Sequence, residues 1–221
     1  MSYFSPAFFK FFEQLVKNNN KEWFDKNRST YETEVKAPFK SFVTLIIEKL
    51  AKDQPEFQRE ASKCIFRINK DIRFSKDKSP YKLNVAGVFN RGGTKDDRPG
   101  FYLHIGADGI FIGGGMYQMN KEQLAKIRQE IYYNEKTFEK LVTDKSFKSI
   151  YTTIQGDKNK VLPEEYKEFA KTQPLIANKQ FYYMANLSRE QVLGKDFDKI
   201  VLAHFKAAYK FNDFLMQAIS E

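Results

Sequence analysis

The chain has 221 residues, 42% of them hydrophobic and 16% aromatic, enough apolar mass to bury a substantial core without covalent staples. Its single cysteine, Cys64, excludes an internal disulfide framework, and one cysteine beside two histidines excludes a cysteine-rich zinc site. The net charge of +9 points to anionic partners, while no apolar run approaches the roughly 18 residues of a membrane span, so a protein of a reduced, cytoplasmic compartment with no membrane partner is expected.

The opening MSYFSPAFFKFF has neither a basic leader nor a small-residue cleavage site and reads as a helix of the mature protein. Ser5-Pro6 supplies a cap and a proline at the first helical position, and Phe8, Phe9, Phe12, Leu15 and Val16 follow at helical spacing. A second helix restarts at Asn20 with Trp23, Phe24 and Tyr31 inward. A third opens at Pro38 and buries Phe39, Phe42, Val43, Ile46, Ile47 and Leu50. Residues 1–55 are thus expected to be helical.

The period then changes. KCIFRIN, LNVAGVFN, GFYLHIG and GIFIGGG are short, β-branched or aromatic, and bounded by Gly, Pro and Asp, which predicts an antiparallel sheet over residues 63–115. RGGTKDDRPG between the middle two reads as a polar hairpin loop rather than a linker. Residues 120–221 return to helix, beginning with NKEQLAKIRQEIYY, where Asn120 and Gln123 have capping-box spacing, and they carry one further strand near 179–187. With no repeat and no linker-like boundary, the prediction is a single α+β domain over 1–221, an antiparallel β-sheet covered by N-terminal and C-terminal helices.

Asp108-Gly109 between two strand-like runs is a hairpin signal, because a type I′ turn needs positive φ at both central positions. That turn would set Tyr102 opposite Gly115 and His104 opposite Gly113. Phe101, Leu103, Ile105, Ile110 and Ile112 would share the core face. Bare backbone opposite a tyrosine and a histidine reads either as a pocket floor or as a glycine bulge under other structure. GGGMYQMN resembles an anion-attracting glycine turn running toward a helix start, but neither the Walker pattern nor the dinucleotide fingerprint is present, and the sequence leaves the cofactor unknown.

Residues 63–82 hold Lys63, Arg67, Lys70, Arg73, Lys76, Lys78 and Lys82 against only Asp71 and Asp77. The segment begins as a strand, with Cys64, Phe66 and Ile68 on one side and Ile65, Arg67 and Asn69 on the other. It breaks at Ser79-Pro80. Cations crowded on a strand end and its loop repel one another unless an anion lies between them. Asp71 and Asp77 are placed to pair with neighbours and orient such a site.

RINKDIRFSKDKSPYK, with NNKEWF, YLHI and GGGMYQMNKEQLAKIRQEI in the same order, resembles the bacterial and fungal proteins grouped as domain of unknown function family 2461. Members of that family more often carry an aromatic and an arginine where this chain has Asn69 and Lys70. The family has no assigned activity, so the resemblance implies a shared site and no reaction. That site would comprise Arg67, Asp71, Arg73, Lys76, Lys78, Tyr81, Tyr102, His104, Gly113, Gly114, Gly115 and Arg128.

His104 is the candidate general base, set against a hydrogen-bonded structural histidine; His204 and Cys64 read as structural, and no metal constellation is present. Three functions compete: a pocket for an anionic small molecule, phosphorylated or carboxylate, with or without catalysis; a nucleic-acid binder using segment 63–82; and a protein-interaction module. Convergence of the candidate elements on one local constellation favours the first.

Overall fold

Short runs rich in apolar residues form four strands, β1 (Asn84–Phe89), β2 (Gly100–Gly106), β3 (Gly109–Met116) and β4 (Phe181–Asn186), with inward-outward alternation cleanest in β2. In the computed structural model, which describes residues 2–220, they form one antiparallel sheet in the order β1-β2-β3-β4. Helices precede and follow it in the chain, an α+β fold.

The chain divides into two compact units. The first comprises the residues through Asp96, Tyr102–Ile112 and Asn186–Leu202. The second comprises Asp97–Phe101, Gly113–Ala185 and the residues from Ala203 on.

In the first unit, the helix Pro6–Lys17 buries Phe8, Phe9, Phe11, Phe12 and Leu15. Phe11 joins the stripe in place of Val16, which is 50% exposed: it lies just beyond the arc that the helix turns inward. Asn20 caps the helix Lys21–Lys26 by accepting from the Trp23 backbone N–H at 2.9 Å. Pro38 begins no new helix. The backbone passes from Arg28–Thr30 through a π-helical segment, Tyr31–Lys36, directly into the helix Ala37–Asp53. The wider π turn brings Tyr31 and Val35 to the buried side ahead of Phe39, Phe42, Val43, Ile46 and Ile47. β1 lies on this helix, so close that a Cβ at Gly87 would sit 3.6 Å from both Phe39 and Val43.

The strand expected in KCIFRIN is not formed. Ala61–Cys64 is a short helical turn, and beyond it only two isolated bridges occur, Ile65 with Gly87 and Asn69 with Tyr81. An extended segment touching a neighbour at two separated points lacks the continuous ladder that defines a strand.

The hairpin between β2 and β3 turns on Ala107 and Asp108 rather than Asp108 and Gly109. Gly109 has φ +138°, whereas Asp108 does not have positive φ, so the type I′ turn is excluded. The register therefore shifts by two residues for every pair, Tyr102 and Gly115 included. His104 meets Phe111 at 5.2 Å between ring centroids, not the backbone of Gly113. A shift of two keeps each residue on its face, and Phe101, Leu103, Ile105 and Ile112 are buried as expected, whereas Ile110, beside the turn, is only half-buried.

In the second unit, Tyr183 and Tyr151 pack against each other at 4.5 Å within a cluster that includes Phe147 and Phe211. The Tyr183 hydroxyl donates to Asn212 and that of Tyr151 to the His204 carbonyl. Gly113–Gly115 lie inside β3, not in a turn. A Cβ at Gly113 would sit 2.1 Å from the Tyr183 carbonyl oxygen and 2.4 Å from the Met184 sulfur, and one at Gly115 would sit 2.2 Å from the Phe181 oxygen. The glycines thus admit the backbone of β4, and Met184 covers Gly113 where an open floor was one of the expectations.

Candidate functional site

Four side chains in the first unit form one hydrogen-bonded chain. The Asp108 carboxylate accepts from Asn84 Nδ2 at 2.8 Å, and its other oxygen lies 2.9 Å from His104 Nε2. His104 Nδ1 lies 3.1 Å from the Tyr102 hydroxyl. Burial pushes the Asp108 carboxyl up, but the hydrogen bonds from His104 and Asn84 outweigh it and leave the pKa below the usual value. An ionised carboxylate only accepts, so a neutral His104 carries its proton on Nε2 and receives the Tyr102 hydroxyl proton at Nδ1. Burial, reinforced by the Asp108 charge, pushes Tyr102 up to about 12, which keeps that hydroxyl a donor.

Alongside this chain, the Tyr102 ring meets Phe66 at 6.3 Å, and the Lys82 ammonium sits 5.3 Å from the centre of the Phe66 ring. Lys82 is half-buried; burial lowers its pKa, and the charge of Arg67 lowers it further. Among the described residues no carboxylate reaches Lys82 or Arg67 closely enough to form an ion pair.

Three of the remaining cations of the basic segment, Lys70, Arg73 and Lys78, are held by its own groups. The Asp71 carboxylate accepts from Arg73 Nε at 2.9 Å and Nη2 at 2.7 Å, a two-pronged pair that brings its pKa down to about 2. Asp77 takes Lys70 at 2.5 Å and the Ser79 backbone N–H at 2.8 Å. Lys78 donates to the Ile72 carbonyl at 3.0 Å, which also accepts from the Ser75 N–H at 3.4 Å, closing a turn with Arg73 and Phe74 at its centre. The base is closed by Lys70 N–H to the Pro80 carbonyl and Lys82 N–H to the Ile68 carbonyl. The result is a braced loop whose apex, Phe74, is 96% exposed.

Of the twelve expected site residues, some are joined and others are engaged within their own segments or units. Tyr102 and His104 are joined, and the charge of Arg67 lowers the pKa of both Asp71 and Lys82. Arg73 and Lys78 are engaged locally, and Lys76 is exposed. Tyr81 is core: its ring stacks on Phe24 at 3.9 Å, and its backbone exchanges two hydrogen bonds with the Asn19 amide. Gly113, Gly114, Gly115 and Arg128 belong to the second unit. There Arg128 is buried, donating to the carbonyls of Ile176 and Asn178 at the end of the 3-10 turn Pro174–Ala177. Phe66, Asn84 and Asp108 do not stand out in the sequence as site residues, and Lys82 does so only as one of the seven cations of segment 63–82. Asp108 reads there as a turn former, and its meeting with Asn84 across the sheet leaves no local signature.

The family description conserved hypothetical protein, DUF2461, matches residues 7–214. The chain belongs to the DUF2461 family. The match spans both compact units, so the His104 chain and the braced loop lie within the DUF2461 region. No curated protein and no solved structure gives a significant match.

Among the described residues no helix is long and apolar enough to cross a membrane, and no three His, Cys, Asp or Glu side chains gather as metal ligands. Cys64 is buried, and burial raises its pKa, so its thiolate is disfavoured.

Proposed function

We propose that the first unit binds an anionic small molecule, phosphorylated or carboxylate, at Arg67 and Lys82 beside Tyr102 and His104. The observation that carries this reading is Lys82, a half-buried ammonium over the Phe66 ring, under the charge of Arg67 and without a carboxylate partner among the described residues. Two like charges so placed destabilise the empty protein, and a bound anion reverses the sign of that interaction. Binding is favoured over catalysis because both His104 nitrogens are already committed, to Asp108 and to Tyr102. The imidazole acts as a base only when a ligand takes over one of those bonds.

Thermal unfolding in low-salt buffer with phosphate, pyrophosphate or citrate, against chloride at equal ionic strength, tests the site. The wild type is expected to gain stability with at least one of these anions, and Lys82→Met to lose that gain while melting higher than wild type without ligand. Absence of any anion-specific shift, or an undiminished shift in Lys82→Met, would refute the proposal.

A second reading, nucleic-acid binding through segment 63–82, is favoured by the exposed ring of Phe74 beside the Arg73 guanidinium, 5.9 Å from the ring centre.

A further inference from the structure

Resting on that second reading, we propose that the loop Asp71–Ser79 is a preformed platform on which an unpaired nucleobase stacks, with Phe74 as the ring and Lys76 and Lys78 meeting the adjoining phosphates; the partner is single-stranded nucleic acid. Three features of the loop lead there.

The first is the isolation of the ring. Phe74 is almost wholly exposed at the centre of a hydrogen-bonded turn, with the Arg73 guanidinium over one face, 5.9 Å from the ring centre, and the other face open. An aromatic ring left in water at a turn apex contributes nothing to the core, and it costs nothing in strain for a planar ligand to cover one face.

The second is bracing. Asp71 fixes Arg73 through two side-chain bonds, Asp77 ties Lys70 to Ser79, and Lys78 reaches back to the Ile72 carbonyl. These bonds settle the turn before a ligand arrives, and pre-ordering removes part of the entropy cost of binding.

The third is the balance of charge. Asp71 and Asp77 are each neutralised within the loop, so the uncompensated charge near the apex is that of Lys76 and Lys78. Together with the ring this makes an aromatic platform with cations beside it, the combination that holds single strands by stacking and by pairing with the backbone. A lipid surface or an apolar protein pocket fits less well. Inserting the tip would drag the Asp71–Arg73 and Lys70–Asp77 pairs out of water, whereas stacking covers one ring face and leaves both pairs solvated. Duplex DNA fits less well still, because its bases offer no open face to a ring.

Fluorescence anisotropy with a short labelled oligothymidylate, alone and annealed to its complement, tests the platform at low salt. The single strand is expected to bind more tightly than the duplex. Phe74→Ala should weaken it roughly tenfold, and Phe74→Trp should retain or improve it. Replacing Lys76 and Lys78 by Ala should flatten the salt dependence by about one logarithmic unit for each phosphate no longer neutralised. The anion-induced thermal shift assigned to Lys82 should be unchanged in Phe74→Ala. Equal binding of strand and duplex, or wild-type affinity in Phe74→Ala, overturns the platform while leaving nucleic-acid binding standing. Absence of binding to either probe overturns both. Phe74-dependent sedimentation with phosphatidylserine vesicles, without oligonucleotide binding, assigns the loop to a membrane surface instead.

Discussion

His104 Nε2 lies 2.9 Å from Asp108 Oδ1, and this contact fixes which imidazole nitrogen carries the proton. Through it, the Tyr102 hydroxyl proton is turned toward Nδ1.

That arrangement has a pH signature. The folded pKa of Asp108 is depressed, so its contribution to stability is present above the ordinary carboxylate value of about 3.9 and is lost as pH falls through the lower folded value. Asp108→Asn lacks this contribution. In urea titrations, the stability gap between wild type and Asp108→Asn is expected to be constant at neutral pH and to shrink below about pH 4. A gap that persists unchanged into strong acid would mean that Asp108 is not the ionised acceptor.

Tyr81, set among the basic residues of the sequence, is a core residue by its packing. Phe24→Ala removes the stacked partner from a site where both rings are buried and should destabilise the fold by about 3–5 kcal/mol. A double-mutant cycle of Phe24→Leu with Tyr81→Leu should show a coupling of about 0.5–1.5 kcal/mol. Additive effects would place the two rings apart.

Gly115 combines φ +92° with a β4 carbonyl where a side chain would begin. The backbone conformation alone should make Gly115→Ala cost about 1–3 kcal/mol, with the clash against the Phe181 carbonyl adding to it. Equilibrium denaturation reads this directly, and an unchanged midpoint would contradict the close approach of the strands.

The braces of the loop act on its order rather than on global stability. Asp77→Ala removes the partner of Lys70 and of the Ser79 N–H, and trypsin is expected to cut faster after Lys76 and Lys78 while the melting temperature stays put. Equal cleavage rates would show that Asp77 does not order the loop.

Much of the fold is legible in the sequence. β2 is marked out as GFYLHIG because its apolar residues alternate without interruption between glycines, and the Asn120 capping box is readable because both its bonds are local. Sequence reasoning fails where distant groups decide the local structure. Asp108-Gly109 is a strong turn pair in isolation, yet Asp108 is held by Asn84 and His104 and the turn moves one residue toward the N-terminus. KCIFRIN alternates like a strand but finds partners only at Ile65 and Asn69. The loop carboxylates are readable as partners of nearby cations because each lies within seven residues of its mate. The neighbourhood of Lys82, Phe66 and Tyr102 is not, because it is assembled by folding from separated segments.

The π-helical segment Tyr31–Lys36 bears on how this chain tolerates change in length. Such a wide turn behaves as one residue inserted into an ordinary helix. Deleting a single residue there would repair the backbone geometry yet swing everything N-terminal of it by about 100° relative to Phe39 and Phe42. Phe4 would then leave its place beside Phe42. The locally relaxed chain would be the globally misassembled one, so drift in the number of residues is barred at this point of the molecule even where drift in their identity is not.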